Sequence, residues 1–127
     1  MLDIKTKVYN ALSDLSISLS DNPDYYKDHN KCPFAILRTI NESPQYYKNF
    51  QKANWLIRID VFSKYKGEKE IKDYYENEVL PAVKGLLEED GITYITPSIG
   101  IMDESELGPI QKHGVISLVI DTMEVNE

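Results

Sequence analysis

The run Trp55-Leu56-Ile57-Arg58-Ile59-Asp60-Val61-Phe62 constrains the chain more than any other. Trp55, Ile57, Ile59 and Val61 fall on one side of an extended segment, with Leu56, Arg58 and Asp60 on the other. A period of two over eight residues predicts a strand with one face buried. Such a strand needs neighbours in a sheet and a second layer to cover its apolar face.

The flanking sequence supplies candidates for both. Pro33 to Ile40 predicts a second strand, with Pro33 at its first position where no ladder donor is needed. The two strands should pair antiparallel, joined by a polar connection from Asn41 to Asn54. After a turn at Ser63 to Gly67, Glu68 to Glu89 reads as a helix, because Ile71, Tyr75, Val79, Ala82, Val83, Leu86 and Leu87 recur at three- and four-residue spacing. Pro81 should kink or split it, since proline removes a backbone donor. Asp90-Gly91 is a stop signal. Leu2 to Leu15 predicts a first amphipathic helix. Ser16 to Leu19 predicts a short extended piece, Asp21 to Asp24 a turn, and Tyr25 to Asp28 a loop.

Ile92 to Ile95 predicts a third strand that resumes at Ile99 to Met102 after Pro97. An acidic connection, Asp103 to Ile110, leads to a last strand over Gln111 to Met123. That strand is apolar or small on both faces and is expected to be covered on both. The order is α-β-β-α-β-β. It predicts an α+β fold: a mostly antiparallel sheet of about four strands with two helices packed on it, a ferredoxin-like arrangement being one variant. At 127 residues, 42% hydrophobic and 28% charged, the chain fits one globular domain spanning 1–127.

The formal net charge of −7 argues against a basic nucleic-acid platform and against a polybasic membrane contact. No run of about 18 apolar residues is present to span a bilayer, and Met1 to Lys5 does not begin a signal-peptide core. Cys32 is the single cysteine, which fits a reducing compartment and rules out an internal disulfide. His29 and His113 lack a second His or Cys at ligand spacing and read as surface histidines. The glycines form no phosphate-binding loop. Glu88-Glu89-Asp90 and Asp103-Glu104-Ser105-Glu106 lack EF-hand order and read as solvated acidic surface. No catalytic residue, metal site or cofactor is expected.

Aromatic placement says more. Of the nine tyrosines, Tyr25, Tyr26, Tyr46, Tyr47 and Tyr65 are expected in loops. Exposed tyrosines are enriched at protein interfaces, but they can also pack over sheet edges.

Trp55 to Gly67, followed by a helix that reaches Leu80-Pro81-Ala82-Val83, resembles the tail-terminator or tail-completion proteins of long-tailed bacteriophages and prophages. The hydrophobic strand running into Asp60-Val61-Phe62-Ser63-Lys64 and a helix opened by Gly67 carries the likeness. The first helix, the Pro33-Phe34 strand opening and the Val115 to Met123 strand fall in compatible places. The resemblance implies a non-enzymatic structural protein that caps the head-proximal end of the tail tube, stops its polymerisation and offers the head-joining surface. It implies a homo-oligomeric ring, typically a hexamer, with the major tail tube protein and a head connector or neck protein as partners. It also implies assembly in the bacterial host cytoplasm and a final place in the virion, at the tail neck. DNA would only pass through the lumen, and an acidic lining would let it slide. Tyr46, Tyr47, Phe50, Tyr65, Asp103, Glu104 and Glu106 are the candidate interface residues. A head–tail connector or minor tail protein is the nearest alternative. A small ligand-binding or enzymatic α+β domain is the alternative of another class.

Overall fold

The computed structural model of the chain describes residues 4–20, 33–104 and 110–125. Helix α1 (Ile4–Leu12) presents Ile4, Val8 and Leu12 on one stripe, and all three are fully buried. Each such side chain contributes about 1.5–3 kcal/mol through burial. Strand β1 (Ser18–Ser20) follows, then β2 (Phe34–Tyr46) and β3 (Phe50–Ser63). A continuous helical segment comes next, made of α2 (Lys69–Tyr74), a π-helical stretch (Tyr75–Val79) and α3 (Leu80–Leu86). The chain closes with β4 (Ile92–Asp103) and β5 (Lys112–Val125).

The strands form one five-stranded sheet among the described residues, ordered β1-β2-β3-β5-β4. This corrects the expected mostly antiparallel sheet of about four strands. The sheet is mixed, because β1 runs parallel to β2 with Ser18 opposite Phe34. The other neighbours are antiparallel. The α+β class stands, but the ferredoxin-like variant does not. The helical segment carries the chain from β3 to the far edge at β4, and β5 returns antiparallel between them.

The connection expected over Asn41 to Asn54 is in fact ladder. Glu42 pairs with Trp55, Pro44 with Ala53 and Tyr46 with Gln51, leaving only Tyr47 to Asn49 as the turn. A register shift between Thr39 and Asn41 lets the polar stretch continue the sheet. β4 likewise runs unbroken through Pro97. It is an edge strand, where a missing ladder donor is tolerated. Pro81 sits in the first turn of α3, directly after the π-helical stretch. The wider winding of that stretch accommodates the missing donor, so the helix neither stops nor splits.

One face of the sheet carries Ala35, Leu37, Ile57, Ile59, Val61, Ile116, Leu118 and Ile120, packed against the buried residues of the three helices. Gly114 lets α2 close on the sheet, since a Cβ there would lie 2.6 Å from Ile71 Cγ2. On the opposite face Phe34, Ile36, Phe62 and Ile110 form a second, smaller buried cluster. The expectation that β5 is covered on both faces is also corrected. Ile116, Leu118 and Ile120 are fully buried, but Val119 on the other face is 39% exposed.

Candidate functional site

The ladder extends beyond the helices. β2 from Asn41, β3 up to Asn54 and β5 from Asp121 make a three-stranded arm with both faces largely in solvent. Trp55 fixes its base: Nε1–H donates to Thr122 Oγ1 at 3.1 Å, and the Thr122 hydroxyl donates to the Ala53 carbonyl at 3.4 Å. At the tip, the Tyr47 amide donates to the Phe50 carbonyl at 2.8 Å and closes the turn. The Tyr47 and Phe50 rings stack 4.6 Å apart, and Lys52 Nζ lies 5.7 Å from the centre of the Phe50 ring. Tyr46 is 74% exposed and Val125 72%. The structure thus brings Tyr46, Tyr47 and Phe50 together at one end of the molecule.

Tyr65 lies at the other end of β3, beside a cleft of about 570 Å³. Ile17, Pro33 and Tyr74 line it, along with Glu70, Asp73, Glu78 and Lys69. Glu78 is already engaged, accepting from the Ser16 amide at 2.8 Å and the Ser16 hydroxyl at 2.5 Å. Among the described residues, the buried Tyr74 hydroxyl has no hydrogen-bond partner, and neither has Glu70 Oε1. Burial, with the nearby Glu78 charge, pushes the Tyr74 phenol up to about 12.

Of the acidic candidates, Asp103 and Glu104 lie far from the arm, at the Ser63 end of the sheet near Tyr65: Ser63 stands opposite Lys112, its carbonyl accepts from the Gln111 amide, and its hydroxyl accepts from the Tyr65 amide. Asp103 pairs with Lys112 across the β4–β5 ladder. Glu104 has its amide bonded to the Gln111 carbonyl, and its carboxylate is 3.9 Å from His113 Nδ1. Glu106 lies outside the described residues, as do Tyr25, Tyr26, His29 and Cys32.

His113 was expected at the surface, and this too is corrected. Its side chain is only 14% exposed. It stacks on Phe62 at 4.5 Å, and its Nε2 is 2.9 Å from Asp60 Oδ1. Asp60, 1% exposed, gathers three cationic or potentially cationic groups. Arg58 donates from Nε to Oδ1 at 2.9 Å, and Arg38 Nε lies 2.9 Å from Oδ2. The Arg38 Nε–H is not aligned for a hydrogen bond, so that contact is between charges. Burial alone would raise the Asp60 carboxyl; hydrogen bonds from His113 and Arg58 outweigh it and hold the group below the usual carboxylate value. The sequence does hint at this hub: Arg58 and Asp60 share one strand face. The parts supplied by Arg38 and His113 depend on strand register, which no local pattern reveals.

Among the described residues, no group of three or more His, Cys, Asp or Glu side chains could hold a metal ion. No helix among the described residues is long and apolar enough to cross a membrane. No protein-family model matches the chain, and no curated protein sequence matches it either.

Proposed function

We propose that this chain is a non-enzymatic virion structural protein of the tail-terminator kind. On this reading it forms a ring, with six copies as the expected number, at the head-proximal end of a phage tail tube. The ring halts tube growth and offers a surface to the head connector, and DNA passes through it without specific contact. Assembly takes place in the bacterial cytoplasm, and the protein ends at the virion neck.

The observation that carries this reading is the arm. It extends three paired strands past the covered core and places Tyr46, Tyr47 and Val125 in solvent. Apolar and aromatic surface presented this way is characteristic of a contact surface rather than of a free domain. The free long edge of β4 and the exposed Tyr94, Met102 and Val119 add to it. Connector and minor-tail roles would use the same kind of surface, so the test must read tail length.

Deleting the gene from its phage or prophage is expected to leave capsids intact and to give overlong or headless tails. Normal finished virions from the deletion would remove the reading. Normal-length tails lacking some other component would shift the assignment to a connector or minor tail role.

A further inference from the structure

The arm and the cleft complement one another, yet one molecule cannot bring them together. Strand β3 runs from Phe50 at the arm tip to Ser63 beside the cleft. Its 14 residues span about 45 Å at roughly 3.3 Å each. The tip therefore cannot reach its own cleft.

Their chemistry matches. The hairpin tip from Ser43 to Ala53 carries Lys48 and Lys52 and no acidic residue, together with the aromatic group Tyr46, Tyr47 and Phe50; the acidic residues of the arm, Glu42, Asp121 and Glu124, lie outside that tip. Among the described residues the cleft has apolar walls at Ile17 and Pro33, an exposed ring at Tyr65, and three carboxylates, Glu70, Asp73 and Glu78, against the single ammonium of Lys69. At about 570 Å³ it has room for an aromatic side chain and a lysine head. Tyr74 on its lining is 1% exposed, and its hydroxyl has no hydrogen-bond partner among the described residues.

We propose that the arm tip of one copy docks in the Tyr65–Glu70–Asp73 cleft of a second copy. Each copy gives its arm to one neighbour and receives the arm of a different one, so the contact is heterologous rather than the reciprocal exchange that would close a two-fold dimer. Repetition then closes a ring or grows a filament. The proposal deepens the ring reading above, but it can fail separately from it.

The test is charge reversal with rescue, read by sedimentation of the whole chain at millimolar concentration. Lys48→Glu with Lys52→Glu reverses the arm, and Glu70→Lys with Asp73→Lys reverses the cleft. Each is expected to weaken self-association by about tenfold or more. Mixing the two reversed chains should restore assembly, because each arm then meets a cleft of opposite charge. As an independent measurement that leaves the cleft native, Tyr46 is replaced by photo-reactive benzoylphenylalanine, whose interchain adducts should map to residues 65–74.

Undiminished association of the arm-reversed chain, failure of the mixture to recover, or adducts that are missing or lie elsewhere would each overturn the contact. Assembly through the arm combined with normal tails on gene deletion would uphold the contact and remove the terminator role. Overlong tails combined with an arm that does not reach the cleft would do the reverse.

Discussion

Arg38 and Arg58 stand directly opposite one another across β2 and β3, where two like charges repel. Asp60 makes that arrangement tolerable, and it is the one charged residue among the described residues that is buried. Asp60→Asn keeps the shape and removes the counter-charge. Breaking a fully buried pair costs about 3–5 kcal/mol. Both arginines are partly solvated, so a loss of about 2 kcal/mol is expected in urea unfolding at neutral pH. The pH dependence has a definite sign. A carboxyl whose folded pKa is depressed adds stability that is fully present above the unfolded value, 3.8, and is lost as pH falls through the lower folded value. The gap between the native chain and Asp60→Asn should therefore narrow in acid below that value. A gap that stays constant into strong acid would show that the carboxylate charge is not responsible. Tyr74 runs against intuition. Its hydroxyl is buried without a partner among the described residues, so Tyr74→Phe removes an unmet polar group rather than a bond. Thermal melts should show equal or higher stability, by up to about 1 kcal/mol. A marked loss would mean that the hydroxyl is satisfied in solution. Arg58 and Asp60 sit in the pattern of their own strand and could be read from it; His113, 53 residues away, could not.

Among the elements, α2 packs tightly on β5 at Gly114. A methyl at Gly114 would sit 2.6 Å from Ile71 Cγ2, and Ile71 is itself fully buried and β-branched, so it has little freedom to yield. Gly114→Ala is expected to cost about 1–3 kcal/mol. Gly100→Ala on neighbouring β4 meets nothing within 4 Å and serves as the control. Pairing Gly114→Ala with Ile71→Ala, which removes the clashing Cγ2, should give a measurable coupling in a double-mutant cycle; strictly additive losses would place the strain elsewhere. The same scale shows what the sequence made legible. The alternation at Trp55 to Phe62 and the helical spacing from Ile71 to Leu86 survive in β3 and in the helical segment, because each reflects burial of a whole face. Asn41 to Asn54 did not read as strand, because an arm with both faces wet leaves no apolar alternation to find. β1 overlaps the short extended piece expected at Ser16 to Leu19, but its place in the sheet was not legible. Three residues are too few to carry a period, and a parallel partner cannot be inferred from a turn.

At the scale of the whole molecule, the arm and the core are separable. The large buried cluster joins the three helices to the sheet at positions such as Ile57, Ile59, Ile116, Leu118 and Ile120, and includes nothing from the tip. Replacing Gln45 to Lys52 by a two-residue Asn-Gly turn between the paired Pro44 and Ala53 shortens the hairpin from its end without shifting its register, and that turn type suits the twist of paired strands. The truncated chain loses the Tyr47–Phe50 stack and the Lys52 contact, both largely wet, and keeps the Trp55–Thr122 bond at the arm base. Its melting temperature should therefore stay within a few degrees of the native chain, a change of about 1 kcal/mol or less. Self-association, measured by sedimentation, should fall away at the same time. In the native chain that association should weaken as salt rises, because Lys48 and Lys52 face carboxylates within reach of screening ions. It should not vanish, because the aromatic burial is insensitive to salt. A truncation that unfolds the protein would make the arm part of the fold. One that folds and still assembles would make it dispensable. Native folding with lost assembly is the outcome expected of an arm whose buried surface is supplied by another copy.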